Sequence, residues 1–320
     1  MRAIQVKQFG EPCEMSLTEL ADLQPLDDQI KIDVQAVGVN PVDTYIRAGI
    51  YPVRPKLPYT PGLDASGVIS AVGKDVHQFK KGQKVYTLGS VSGCYASQVL
   101  CTEEQVFALP ENVDFSAGAA LGVPYSTAYF ALNYRAHAVP GETVLIHGAS
   151  GAVGLAAIQI ARSNGLKVIG TAGTEAGLEM LKVQGVDAAL NHTEPNYLDA
   201  IDQLTAGKGV NVILEMLANV NLDHDLNLLA LFGRVVVIGS RGNVEIDPRS
   251  TMGKNAAIMG MSLFNTPPKI LKQMHAAIHA GLSDGRYRPV IHSELPLEQA
   301  AQSHERVMKT GINGKIILIP

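Results

Sequence analysis

Gly148, Gly151 and Gly154 stand three residues apart, between the apolar run Thr143–His147 and an apolar stretch that opens near Val153. Glycines in such a place let a strand turn sharply into a helix. The first N–H groups of that helix, and the positive end of its dipole, can then receive a pyrophosphate. The spacing is G-x-x-G-x-x-G, not the commoner G-x-G-x-x-G, so the pattern gains meaning only from its setting. A purely structural turn would use the same glycines, but the further β–α alternations that follow favour dinucleotide binding. Beyond the second strand the chain reads Ile169-Gly-Thr-Ala-Gly-Thr174, with no acid before Glu175. An acid there would hold a ribose 2′-hydroxyl and repel a 2′-phosphate, so its absence points to NADP(H).

Behind these residues lies an alternating pattern. After the strand Thr143–His147 and a helix over roughly Val153–Ser163, the sequence predicts Lys167–Thr171 as strand and Ala176–Gln184 as helix. Ala188–Leu190 reads as a short strand and Tyr197–Leu204 as a helix. Val212–Glu215, Asp223–Leu231, Arg234–Ile238 and Ala257–Met261 continue the alternation. Apolar strands separated by short helices make βαβ units on a parallel sheet. The first part of the chain differs. Gln29–Val39 alternates apolar and polar residues at period two. Ala65–Val72, Lys84–Leu88 and Tyr95–Leu100 are further strand candidates, and Pro52, Pro55, Pro58 and Pro61 exclude helix between them. A helix at Pro268–Ala280, then Arg288–His292 and a strand Lys315–Ile319, form a tail too small for a domain. The expected division is therefore a strand-rich unit, residues 1–122 completed by 266–320, and a dinucleotide-binding unit, residues 123–265.

Composition narrows the class. The 320 residues are 46% hydrophobic and 18% charged, which excludes global disorder. With 26 basic residues scattered among 30 acidic ones, the chain lacks the basic face of a dedicated nucleic-acid binder. Cys13, Cys94 and Cys101 are too few and too unevenly placed for a disulfide framework, and suit a reducing compartment. The start, MRAIQVKQFG, lacks the apolar core of a signal peptide, and no run approaches the ~18–20 apolar residues of a membrane span. A soluble cytoplasmic protein is the expectation.

The chain resembles the ζ-crystallin and NADPH:quinone oxidoreductase family, the zinc-free branch of the medium-chain dehydrogenase/reductases. The resemblance runs from end to end. It is carried by NPVDTYIRAG (Asn40–Gly49), LPYTPGLDASGVI (Leu57–Ile69), HGASGAVGLAAIQIAR (His147–Arg162), GTAGTEAG (Gly170–Gly177), EMLANVNL (Glu215–Leu222) and VIGSRG (Val237–Gly242). Ala152 departs from the family, which has another glycine there. The resemblance implies an α/β protein, with a GroES-like irregular β domain and a Rossmann doubly wound parallel sheet. It implies NADPH as cofactor and a cleft between the domains where nicotinamide meets substrate. Carried over position by position, it puts Tyr45 at the nicotinamide end and Ser150, Gly151, Ala152 and Val153 at the pyrophosphate. Gly173 and His192 would lie by the adenosine ribose and its 2′-phosphate. Asn221, Ile238, Gly239, Ser240, Arg241, Met261, Ser262 and Leu263 would complete the wall.

Zinc-dependent relatives place a Cys ligand after the first long strand and a His in a G-H-E segment. Here Asn40 stands in place of that Cys, and Leu63-Asp64 follows Gly62. Catalytic zinc needs three protein donors, and Leu63 cannot be one. No metal is therefore expected. Without a Lewis acid the fitting acceptors are electrophilic, quinones above all and ortho-quinones by preference. Hydride arrival there leaves a delocalised phenolate that solvent can protonate. Tyr45 and Asn40 are the candidates to hydrogen-bond the acceptor oxygen, although Asn40 could equally brace the turn before Pro41 and Tyr45 pack on the cofactor. Two alternatives stand beside quinone reduction. One is an NADPH-dependent alkenal or enone double-bond reductase, and the other a recruited structural or RNA-binding crystallin-like protein. An intact glycine loop disfavours the purely structural role, and the scattered basic residues leave RNA binding at most secondary. The resemblance also implies a homodimer or homotetramer, with Ala257–Met261 as a contact.

Overall fold

The computed structural model describes all residues, 1–320, and the chain divides into two units. One joins Met1–Val123 to Pro268–Pro320, and the other is the contiguous stretch Pro124–Pro267.

The contiguous unit is built on six strands. In spatial order they are Ala188–Asn191, Lys167–Ala172, Thr143–Ile146, Val210–Glu215, Leu229–Val237 and Ala257–Gly260. Every neighbouring pair is parallel. Numbered along the chain the order is 3-2-1-4-5-6, the doubly wound arrangement with its switch point between the first and fourth strands. Helices Ala152–Ser163, Glu175–Val183, Tyr197–Leu204 and Ala218–Leu228 connect the strands. The core is aliphatic, with Leu145, Ile169, Ile201, Ile213, Leu226 and Val235 packed together.

The split unit carries an irregular sheet that is antiparallel except for its last pair. Ile291–Pro296, Lys315–Ile319, Gln29–Gly38, Asp64–Val72, Lys84–Thr87 and Val106–Ala108 lie side by side, and Gln98–Thr102 also pairs with Gln29–Gly38. Arg2–Val6 and Met15–Glu19 form a separate hairpin. The tail enters this sheet directly: Lys315–Ile319 pairs antiparallel with Gln29–Gly38 and parallel with Ile291–Pro296.

Several element boundaries differ from the sequence reading. The strand expected at Tyr95–Leu100 is Gln98–Thr102, because Tyr95 and Ala96 are taken up by the first strand instead: the Ile4 N–H donates to the Tyr95 carbonyl at 2.8 Å. The segment Asp223–Leu231 is divided, the helix ending at Leu228 and Leu229–Leu231 opening the next strand. The segment Arg288–His292, singled out without an assignment, runs into a strand at Ile291–Pro296, set by its partner Lys315–Ile319. A helix at Pro41–Ala48 lies outside the sequence reading, although Val42, Tyr45 and Ile46 recur at helical spacing. Asn40 is its N-cap, Pro41 its first residue, and the Asp43 carboxylate accepts the Asn40 N–H at 2.9 Å.

Gly154 shows what the glycine spacing is for. A Cβ there would lie 2.5 Å from Ala149 Cα and 2.6 Å from its carbonyl oxygen, both backbone atoms that cannot yield cheaply. Glycine at this position lets the helix Ala152–Ser163 seat on the loop before it. Exchanging a helical glycine for alanine ordinarily gains up to about 1 kcal/mol. Gly154→Ala should instead lose about 1–3 kcal/mol through overpacking, read as a lowered urea midpoint.

Candidate functional site

Because the six strands of the contiguous unit are parallel, their carboxyl ends share one edge. Nearly all the residues expected at the cofactor follow those ends. Ser150–Val153 follow the first strand, Gly173 the second and His192 the third. Asn221 lies in the helix after the fourth, Ile238–Arg241 follow the fifth, and Met261–Leu263 the sixth. Such an edge, at a switch point, is where doubly wound sheets bind ligands.

The loop after the first strand is made for an anion. Gly148 takes φ +55°, and the Ala149 N–H donates to the Thr171 carbonyl at 2.8 Å, which binds the loop to the neighbouring strand. Gly151 is the N-cap of the helix Ala152–Ser163 and supplies no side chain to cap it. The first turn of that helix therefore keeps its N–H groups for a ligand. The extra methyl of Ala152 sits in that turn, half-buried. Beyond the neighbouring strand Lys167–Ala172, a Cβ on Gly173 would come within 2.8 Å of His192 Nε2, so only glycine lets the imidazole lie this close to the backbone. Partial burial, with the His147 imidazole as a lesser cause, holds His192 below the usual histidine range. Thr174 does not compete for a ligand in this place: its hydroxyl accepts the Gly177 N–H at 3.1 Å as a helix cap.

The remaining wall is held by short local bonds. The Glu215 carboxylate accepts the Leu217 N–H, and the Asn221 side-chain amide donates to it at 3.2 Å. The Ala218 N–H donates to the Gly239 carbonyl at 2.9 Å, and the Arg241 N–H to Asn219 Oδ1 at 2.8 Å. Ser240 Oγ donates to the Gly242 carbonyl at 2.9 Å, and the exposed Arg241 stands at the rim. A Cβ on Gly239 would meet the Met216 carbonyl oxygen at 2.5 Å, so this turn too requires glycine. Met261 extends the edge strand, its N–H donating to Val237 at 3.3 Å, and Ser262 caps the short turn Leu263–Asn265.

Asn40 and Tyr45 belong to the other unit, at the start and in the body of the helix Pro41–Ala48. Tyr45 is half-buried. Asn40 is 2% exposed and lies inside a polar cluster. Lys315 Nζ donates to Asn40 Oδ1 and, at 2.8 Å, to Asp64 Oδ2, while Asn40 Nδ2 donates to the same carboxylate oxygen at 3.0 Å. A donor-only ammonium on one side and an acceptor-only carboxylate on the other fix which way the amide points. The Val123 N–H satisfies Asp64 Oδ1 at 2.8 Å. The Asn40 side chain is thus tied to Lys315 and Asp64, while its backbone N–H is tied to Asp43. Gly38 makes room for this: a Cβ there would lie 2.7 Å from Lys315 Cε and 2.0 Å from the Ala119 carbonyl oxygen.

A second buried chain of bonds runs from the same helix. Tyr95 donates to Asp43 Oδ2 at 3.1 Å, and its hydroxyl lies 3.1 Å from His304 Nε2. Burial raises the Asp43 carboxyl to about 7 and lowers His304 to about 3. A neutral His304 donating from Nε2 to the tyrosine oxygen leaves its Nδ1 without a partner, as observed. Cys94 and Cys101 are buried free thiols, and burial pushes the first up to about 12. Both sit in the core as small packing residues, their burial disfavouring the thiolate.

Lys315, Asp64, Glu215 and Asp225 did not emerge as site residues from the sequence. The one signal for Lys315 is a charge opening the otherwise apolar run Lys315–Ile319, and burial turns that oddity into a constraint. Removing one member of a buried ion pair costs about 3–5 kcal/mol, mostly because the survivor is stranded. Lys315→Met should lower stability by that order in urea unfolding, and adding Asp64→Asn should recover part of the loss.

Two family models match the chain, an alcohol dehydrogenase GroES-like domain over residues 26–111 and a zinc-binding dehydrogenase over 152–280. The quinone oxidoreductase of the pig, Sus scrofa, is 51% identical over 321 residues, spanning 100% of this chain and 98% of the relative. Among solved structures, Escherichia coli quinone oxidoreductase complexed with NADPH has a TM-score of 0.92 at 28% identity, covering 100% of both chains. An NAD-dependent alcohol dehydrogenase has a TM-score of 0.93 at 26% identity, with the same coverage. Backbone shape therefore does not separate these two kinds of enzyme, whereas identity across the whole chain does. The chain belongs to the quinone oxidoreductase family of the medium-chain dehydrogenase/reductases.

Proposed function

We propose that this protein is an NADPH:quinone oxidoreductase that works without a metal and favours ortho-quinones. The observation that carries the activity is 51% identity to a quinone oxidoreductase along the entire chain. The residues fit the dinucleotide: an uncapped helix start at Gly151, a glycine–imidazole cradle at Gly173 and His192, and no acid between Ile169 and Thr174. When bound, NADPH supplies the hydride. The pyrophosphate belongs at Ser150–Val153, the 2′-phosphate at Gly173 and His192, and the rest of the cofactor along Asn221, Ile238–Arg241 and Met261–Leu263. Tyr45 belongs at the nicotinamide end.

The metal-free reading rests on donor chemistry. Zinc-dependent relatives carry Cys and His where Asn40 and Leu63 stand, and here the Lys315 ammonium is bonded to Asn40 and Asp64. A resident cation beside these groups would have to displace an ammonium already paired with its carboxylate. The chemistry left to the protein is to position the acceptor, exclude water and offer hydrogen bonds to the developing phenolate. Asn40 serves this as an amide of fixed orientation, and Tyr45 as a half-buried hydroxyl. The finer reading of its setting, a cytoplasmic homodimer or homotetramer, is supported by three free cysteines and by the edge strand Ala257–Gly260 with Ile258 exposed. Reduction of alkenals at the same residues is the competing reading, and relative turnover of 9,10-phenanthrenequinone and 2-alkenals decides between them.

The kcat/KM for NADPH should exceed that for NADH by roughly ten- to hundred-fold, the worth of one charge-assisted hydrogen bond. His192→Ala should collapse that ratio. The preference should widen as pH falls from 8 to 6, because His192 sits low on its own and binds phosphate best when protonated. Equal use of the two cofactors would refute the assignment. Turnover of the quinone should survive EDTA, and ethanol should be a very poor substrate. Tyr45→Phe should cut quinone turnover more than about threefold if its hydroxyl is essential, ~0.6 kcal/mol of barrier. A smaller loss assigns Tyr45 to packing alone.

A further inference from the structure

Three buried ionisable side chains meet where the strand order of the contiguous unit reverses. His147 follows the strand Thr143–Ile146, Glu215 ends the adjacent strand Val210–Glu215, and Asp225 reaches them from the helix Ala218–Leu228. The His147 N–H donates to the Leu214 carbonyl at 3.1 Å, which locks the first two together. His147 Nε2 lies 2.7 Å from Asp225 Oδ1 and 3.6 Å from Glu215 Oε2. Glu215 Oε1 is occupied by the Leu217 N–H and the Asn221 amide. Glu215 Oε2 and Asp225 Oδ2 are both buried and take no hydrogen bond from any N–H or hydroxyl, and the two carboxyls lie within hydrogen-bond reach of each other.

Two carboxylates this close, each with an orphaned oxygen, cannot both stay ionised out of contact with water. His147 Nε2 is hydrogen-bonded to Asp225 Oδ1, so as the structure stands the three groups are linked through shared protons. What the cluster touches gives it a purpose. Glu215 grips the turn into the helix Ala218–Leu228 and the side chain of Asn221, both on the edge assigned to the cofactor. We propose that His147, Glu215 and Asp225 are positioning residues that hold Asn221 and the Leu217–Ala218 turn for the dinucleotide, and that the proton they share keeps negative charge away from its phosphates. This rests on the NADPH reading above.

The sign of the pH effect follows. Burial raises the Glu215 and Asp225 carboxyls to about 7 and lowers His147. The other titratable groups acting on the cluster are His192, which faces His147, and Tyr197, whose hydroxyl feels both carboxylates. The folded carboxyls hold their proton more tightly than unfolded ones. The stability this contributes is full in acid and is lost as pH rises through about 7. Above that point an added buried negative charge opposes an anionic cofactor.

The test is direct NADPH binding, followed by nucleotide fluorescence without quinone, from pH 6 to 9 at constant ionic strength. It is made in a His192→Ala background, so that imidazole–phosphate titration does not intrude. The parent should lose at least fivefold in affinity across that range, and Glu215→Gln should reduce the change to under twofold. Glu215→Ala should weaken binding about tenfold at pH 6, while kcat at saturating NADPH falls less than threefold. Asp225→Asn should resemble Glu215→Gln. In thermal unfolding without cofactor, the Tm of Glu215→Gln relative to its parent should rise between pH 5.5 and 8.5. An unchanged pH slope of binding in Glu215→Gln, or a constant Tm difference, overturns the proposal while leaving NADPH use intact. A wild-type protein that binds neither NADPH nor NADH overturns the cofactor reading and the positioning role with it.

Discussion

Parallel strands cannot be joined by a tight turn, and that constraint organises the contiguous unit. Each of the first five of its six strands must be followed by a crossover before the next can run the same way. Every crossover therefore leaves from the same edge of the sheet. Residues as distant in sequence as Ser150 and Leu263 are brought to one line of loops by strand direction alone. The reversal of order beside Thr143–Ile146 then parts neighbouring crossovers to opposite faces and opens room for a ligand. Glycine appears on this edge wherever backbone must approach backbone or imidazole, at Gly154, Gly173 and Gly239.

The split unit meets a different constraint, that of buried charge. Its sheet is irregular, and its helix Pro41–Ala48 is short, so packing alone would leave the Asn40 amide free to flip. The ammonium of Lys315 and the carboxylate of Asp64 remove that freedom. A buried pair of this kind gains little net stability, since desolvation offsets attraction. Its value here is geometric. A similar economy operates in the contiguous unit, where Glu215 uses one carboxylate oxygen to fasten Asn221 and leaves the other to Asp225 and His147. In both units a charged group sits behind the residue that would meet a small molecule.

Much of this could be read from the sequence, and the failures have physical causes. The strand–glycine–helix unit was legible because apolar runs and glycine spacing are local signals. The parallel sheet followed from alternation, and the exact bounds of Tyr197–Leu204 and Lys315–Ile319 from strong periodicity and an apolar run. The helix at Pro41 went unread although Asn40, Pro41 and Asp43 spell its start, since it lies between a long strand and the proline-punctuated stretch Pro52–Pro61 that reads as irregular. The strand Ile291–Pro296 went unassigned because its partner, not its own pattern, sets its register. The candidate site residues at turns carry a local signature of their own. The groups that position them do not, because nothing local distinguishes Asp64, Asp225 or Lys315 from a solvated surface charge. Their roles arise only when distant segments meet: Lys315 lies 251 residues from Asp64.

That last separation bears on how the molecule is made. The contiguous unit, Pro124–Pro267, has all its strands once translation passes its end, and can close while synthesis continues. The split unit begins earlier yet finishes later. Gln29–Gly38 waits for its neighbour Lys315–Ile319, and Asp64 for its counter-charge, until the ribosome has released both. At ~5–20 residues per second, the chain beyond Pro267 takes several seconds to emerge. Throughout that interval the nascent protein carries a sheet with an open edge and an uncompensated carboxylate, and it is then that a chaperone has most to protect.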